Sequence, residues 1–145
     1  METLGSIFTD TSRLHHRYHH RIFESFHLHR GQSRLFDKLE KADGISQREL
    51  AQRMNIAPAT LTRMVQNMEK NGYVSRQSDP LDQRITRIHL TEKGIETRKL
   101  IRKEMRAVDR KIFKHFSPAE KDQLQEMLMR IQKQLLEELD CENHP

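Results

Sequence analysis

The sequence predicts a mainly α chain with a small β-hairpin wing, on three observations. Two short helical patterns stand back to back at residues 46–55 and 58–70. A charged, proline-containing pair of alternating segments follows at 73–90. Longer helical patterns flank both. Apolar residues recurring at i, i+3 and i+4 mark helices, and alternation marks strands.

The elements follow in order. From about Ser12 to Leu28, Leu14, Tyr18, Ile22 and Phe26 recur at helical spacing, and Gly31 is expected to interrupt the pattern. A short helix from about Gln32 to Lys41 then turns Leu35, Phe36 and Leu39 inward, and Ala42-Asp43-Gly44 ends it. Ser46-Gln47-Arg48-Glu49 reads as a capping box, each end satisfying a backbone N–H of the other. It opens a helix that buries Leu50, Ala51 and Met54 and stops near Asn55. Pro58 suits the first turn of the next helix, where a missing N–H costs nothing, and Asn71-Gly72 closes that helix near Lys70. Residues 73–77 and 85–90 are two strands joined by a tip at 78–83. The segment from Leu90 to Gly94 starts a long helix with Ile101, Met105, Val108 and Ile112 as its stripe. Ser117-Pro118-Ala119-Glu120 is a second capping box, opening a last helix that carries Leu124, Met127, Leu128, Ile131, Leu135 and Leu139.

Composition restricts the function. Of 145 residues, 34% are apolar and 32% charged, so a monomer would have a thin core that a second copy could complete. The net charge of +5 favours a polyanionic partner, nucleic acid above all. The charge is uneven: residues 98–114 hold eight Lys/Arg against two Asp/Glu, and residues 117–142 hold three against seven. A basic helix followed by an acidic one suggests that they lie alongside each other. One cysteine, Cys141, excludes an internal disulfide framework. No apolar run approaches the roughly 18 residues of a membrane span, and the N-terminus lacks a signal-peptide core, so no membrane partner and a cytoplasmic location are expected. No glycine-rich phosphate loop, nucleophile with a base, or carboxylate cluster points to an enzyme.

Two helices, a tight turn and a two-stranded hairpin make a winged helix-turn-helix, whose second helix enters the DNA major groove. Within residues 58–70, Leu61, Val65 and Met68 fall on one side with Met64 beside them. Ala59, Thr62, Arg63, Gln66, Asn67 and Lys70 fall opposite. Arg63 suits guanine, Gln66 and Asn67 suit adenine, and the Thr62 methyl suits a thymine methyl. Thr60, near the helix start, suits a phosphate. Arg76, Arg84 and Arg87 lie on or beside the hairpin tip, which suits a narrow, negative minor groove. Asp82, two residues before Arg84, is placed to hold that side chain.

The segment from Leu28 to Gly94 resembles the MarR family of bacterial transcription regulators. Residues 46–74 are similar to its helix-turn-helix. "DPLDQRITRIHLTEKG" is similar to its wing signature, an Asp-x-Arg tip followed by a strand ending in Leu-Thr-x-x-Gly. The resemblance implies a homodimer with a body of N-terminal (1–30) and C-terminal (95–145) helices around a DNA-binding domain (31–94). It implies recognition helices 58–70 in successive major grooves of a near-palindromic double-stranded operator. The wing, 76–87, would reach the minor groove, with Arg84 at the family's wing-arginine position and Asp82 as its partner. Ile85 is bulkier than the small residue common there. Many members are repressors released by a small aromatic or phenolic ligand. The family's pocket lies between the dimerisation helices and the winged domain, where His15, Tyr18, His19 and Ile22 would line it.

Six of the nine histidines fall between His15 and His29. The pairs His15/His19 and His16/His20 can each reach one ion, but two ligands fall short of a zinc site. Glu24, His115, Cys141 or His144 would have to complete it. No metal site and no cofactor are expected, and a metal-responsive regulator is one alternative reading. A winged-helix protein-interaction module is the other, though a face of Thr, Arg, Gln, Asn and Lys favours DNA. Cys141 lies between Asp140 and Glu142, which disfavour a thiolate.

Overall fold

Helix α1 (Leu4–Ser25) begins well before Ser12. The Thr3 hydroxyl accepts from the backbone of Ser6, and Ser6 answers by accepting from the backbone of Thr3, a serine version of the reciprocal cap. The structure, a computed structural model, describes residues 1–142. Its elements are α1, α2 (Arg30–Lys41), β1 (Ile45–Ser46), α3 (Gln47–Met54), α4 (Pro58–Lys70), β2 (Val74–Ser78), β3 (Thr86–Leu90), α5 (Glu92–Ile112) and α6 (Pro118–Glu142). The chain is mainly α with a small antiparallel sheet, and it divides into two compact units after Met105.

Three expectations need correction. Gly31 does not interrupt the first helix. It lies inside α2, and the break falls at His27, whose φ of 56° puts it in the left-handed region. The capping box of α3 is half made: Ser46 accepts from the Glu49 N–H at 3.2 Å, but the Glu49 carboxylate turns to Arg53 at 2.6 Å. A strand was also missed. Ile45 and Ser46 pair with Ile88 and Arg87, giving a sheet of order β1-β3-β2. Two residues are too few for an alternating pattern, so only the pairing partner reveals them.

The first unit has one core. Leu28, Leu35, Phe36, Leu39, Leu50, Met54, Leu61, Val65, Met68, Val74 and Ile88 are all buried. Tyr73 ties three elements together. Its ring meets Phe36 edge-on at 5.6 Å, and its hydroxyl donates to the Phe26 carbonyl at 2.8 Å. Burial in this core pushes the Tyr73 hydroxyl pKa up. Along the unit's surface, Arg98 and Arg102 of α5 pair with Asp37 and Glu40 of α2. These two members of the basic run therefore find their countercharge on α2.

In the second unit, α6 opens with the full Ser117–Glu120 box, at 2.7 and 3.3 Å, with Pro118 in the first turn. Its Leu128, Ile131, Leu135 and Leu139 stay at least one third exposed. His144 lies outside the described residues, as does the side chain of Cys141.

Candidate nucleic-acid interface

Helix α4 starts with proline at its first turn and buries Leu61, Val65 and Met68 completely. That fixes its rotation and leaves Thr60, Arg63, Gln66, Asn67 and Lys70 exposed. Thr60, Arg63, Gln66 and Lys70 have no side-chain hydrogen bond or ion pair among the described residues. Thr62 and Asn67 differ. The half-buried Thr62 hydroxyl donates to the Pro58 carbonyl at 2.9 Å and accepts from Gln47 Nε2 at 2.8 Å, stitching α3 to α4. Asn67 Oδ1 accepts from Gln32 of α2 at 2.6 Å. The structure thus brings all the sequence-predicted residues of this helix to one face but engages two of them within the protein.

The wing divides its arginines by task. Arg76 pairs with Glu69 of α4 at 2.8 Å, bracing β2 on the helix. Arg87 pairs with Asp79 and donates to the Gly44 carbonyl at 2.9 Å, so it joins the tip to the turn before β1. Asp79 is itself buried and also accepts from the backbone of Leu81 and Asp82, at 2.8 and 3.0 Å. Arg84 alone of the three projects, 90% exposed, while Asp82 grips its guanidinium through two bonds of 3.0 Å. The Asp82 carboxylate also accepts from the Arg84 backbone, which squares the side chain to the tip. An arginine held in an extended pose loses less freedom on entering a groove. Leu81, almost fully exposed, and Ile85, at 36%, flank it on the tip.

Residues 28–86 match the family described as MarR. The chain is also 35% identical over 101 residues to YdgJ of Bacillus subtilis, named an uncharacterized HTH-type transcriptional regulator. Residues 28–86 thus form a MarR-family segment. That match takes in 70% of this chain and 62% of YdgJ, so the chain spans under two thirds of that relative's length. Among solved structures, a Staphylococcus aureus MepR mutant superposes with a TM-score of 0.84 at 20% identity, over 92% of this chain and 99% of MepR. A second MepR mutant, bound to an oligodeoxyribonucleotide, gives 0.75 at 20% identity, over 93% and 99%. At that identity the likeness shows the fold, a winged helix-turn-helix. MarR-family proteins are transcription regulators rather than enzymes.

Sequence reasoning missed three residues of this candidate interface. Gln32 and Gln47 hold Asn67 and Thr62 from outside α4, and Arg48 borders a cleft of about 460 Å3 with Asp82, Arg84, Ile85 and Thr86. Nothing local marks them, because their partners stand far along the chain. The histidine region also rearranges. His15 and Tyr18 are exposed, His19 is half-buried and Ile22 is buried. A cleft of about 230 Å3 in the first unit is lined instead by His16, His19, His20, Phe23, Asp37 and Arg98. His20 faces Glu24 at 3.3 Å, and the His15 and His19 rings touch at 4.1 Å.

The wing tip carries a pH signature. The Arg87 guanidinium, with two backbone N–H groups, holds the Asp79 carboxyl below its ordinary value of 3.8, and Arg84 does the same to Asp82. Both depressed values belong to the folded state. The clamps are therefore complete above the ordinary carboxylate range and are lost as pH falls through the lowered folded values. In an NMR titration the Leu81 and Asp82 amides should shift with a midpoint below 3.8. Asp79→Asn should remove the Asp79 contribution and leave only the step from the Asp82 carboxyl, and a midpoint at or above the ordinary value would count against the clamp.

Proposed function

We propose that this chain is a homodimeric, sequence-specific DNA-binding transcription regulator, and that it acts as a repressor released by a small molecule. The observation that carries the reading is the exposed Thr60-Arg63-Gln66-Asn67-Lys70 face, fixed by a buried stripe, beside a wing whose Arg84 projects in the grip of Asp82. Helix α4 enters the major groove, where Arg63 reads a guanine edge and Thr60 meets a phosphate. Arg84 reaches the minor groove, and Arg76 and Arg87 support the wing from behind. Each protomer takes one half of a near-palindromic operator. The division of labour is a body of residues 1–30 and 95–145 around the DNA-binding residues 31–94. Cytoplasmic action follows from that partner, and no helix among the described residues is long and apolar enough to cross a membrane.

The dimer is supported by apolar surface that the single chain leaves open. Leu4, Ile7, Phe8 and Leu14 on α1 are exposed, as are Leu128, Leu135, Leu136 and Leu139 on α6. A soluble protein rarely leaves so much uncovered. We place the ligand in the cleft of His16, His19, His20, Phe23, Asp37 and Arg98 rather than at His15 and Tyr18. Its volume of about 230 Å3 suits a single-ring compound, and Arg98 and the histidines suit an acidic or phenolic one. Soaked crystals with ligand density only elsewhere would overturn this placement.

The first test is a mobility shift on the DNA upstream of the chain's own gene, over a salt series with competitor DNA. A discrete, competitor-resistant complex of one dimer per site supports the reading. Binding that competitor abolishes at every sequence, including a randomised pool, counts against it. Arg63→Ala should then cost about 1–3 kcal/mol at one base pair and relax preference there. Arg84→Ala should weaken binding most at sites with A·T-rich flanks, where the minor groove is narrow.

A further inference from the structure

We propose that Gln32, a buried glutamine on α2, fixes which arm of the Asn67 amide meets DNA and so makes Asn67 a donor-only reader of base acceptors. The inference rests on the DNA-reading function proposed above and adds a specificity-determining pair to it.

The orientation follows from partners that have only one role. The backbone N–H of His29 donates to Gln32 Oε1 at 2.8 Å. A main-chain N–H cannot accept, so the Gln32 oxygen must lie on that side and its Nε2 on the other. Nε2 faces Asn67 at 2.6 Å, so the atom it meets must be the acceptor, Oδ1. Asn71 makes the same argument from the other flank. Its Nδ2 donates to the Asn67 carbonyl at 3.0 Å, which only accepts, and lies 3.3 Å from the same Oδ1. Turning the Asn67 amide over would set donor against donor at both places. Gln32 is only 4% exposed, so water cannot relieve the clash.

The backbone keeps this pair in register. Gly31 lies so close to α4 that a Cβ there would sit 2.8 Å from the Met64 methyl. The start of α2 is thereby seated on the same turn of α4 that carries Asn67.

The consequence is chemical. An asparagine that reads adenine needs both arms, donating to N7 and accepting from N6. Asn67 has its acceptor occupied and offers only Nδ2. It can donate to guanine N7 or O6, to thymine O4 or, through one bond only, to adenine N7, and it cannot accept from the amino groups of cytosine or adenine. Asn67 therefore loses the two-bond preference for adenine and favours guanine, whose N7 and O6 both accept.

The test is selection of binding sites from randomised duplexes by the full-length chain and its variants. Asn67→Ala locates the base pair concerned as the one whose preference disappears. Asn67→Asp keeps the bond from Gln32 with one oxygen and turns the other outward as an acceptor. Gln32→Glu presents acceptors on both sides, so Asn67 turns over and offers Oδ1 without any change to a DNA-facing side chain, while Asn71 keeps its bond to the Asn67 carbonyl and gives up the longer contact of 3.3 Å. Both should shift that position from guanine towards cytosine or adenine, whose amino groups donate, by about tenfold, and leave other positions unchanged. If the buried charge of Gln32→Glu prevents folding, the surface change Asn67→Asp still decides. A wild type that selects a site while every folded variant keeps its preference there overturns this inference alone. A wild type that selects no sequence overturns the DNA reading and this inference with it.

Discussion

Replacing Gly94 with alanine should lower the melting temperature by roughly ten degrees, from a loss of about 3 kcal/mol. A Cβ at Gly94 would lie 2.1 Å from the Tyr73 carbonyl oxygen and 3.4 Å from a Leu90 methyl. The near atom belongs to the backbone, so no side-chain rotation can relieve it. That carbonyl is also in use, accepting from the Thr91 N–H at 3.1 Å at the root of the wing. Relief therefore requires α5 to move off β2, which would disturb Tyr73 and its bond to Phe26. The φ of Gly94 lies outside the left-handed region, so the cost comes from contact rather than from backbone strain. Gly5 supplies the control: in the first turn of α1 its added Cβ would meet only Thr3 Oγ1, at 4.0 Å. Gly5→Ala should be neutral or stabilising by up to about 1 kcal/mol. Equal melting curves for Gly94→Ala and wild type would show that the helix does not press on the wing as described.

The second large effect concerns assembly. Leu128 and Leu135 are 43% and 50% exposed on α6, one above the other at helical spacing with Ile131 between them. Changing both to glutamate should leave α6 helical, because neither side chain fills a core. In light scattering the wild type should weigh twice the 17.3 kDa chain and the double variant once. Affinity for a two-half-site operator should then fall by roughly a hundredfold or more, since the second half-site is no longer tethered to the first. A double variant that remains dimeric would move the interface elsewhere.

Much of the fold was legible because it is written in short-range signals. The bounds of α4 follow from Pro58 and from Asn71-Gly72, and its buried stripe from the spacing of Leu61, Val65 and Met68. The Ser117 box opened α6 as read. The errors lie where local signals compete. Gly31 looked like a breaker, yet a glycine is also what lets α2 approach Met64. His27 adopts the left-handed turn without any glycine to announce it. Glu49 had two acceptable partners, and Arg53, one turn along the same helix, took it.

The candidate site was legible as a set of residue types and not as a set of roles. Sequence alone determined the rotation of α4, and with it which side chains point away from the core, because burial of the apolar stripe leaves the helix no other choice. It also placed Asp82 beside Arg84, since two residues on one tip are neighbours whatever the rest of the chain does. Only the tertiary structure decided which of those side chains are free. Arg87 is committed to Asp79 and Gly44, Thr62 to Gln47, and Asn67 to Gln32, through partners eight to forty-three positions away. A hydrogen bond depends on distances of a few tenths of an ångström between atoms that the chain brings together only when its core closes. Helical periodicity specifies direction, and it carries no information about which distant donor will be waiting there.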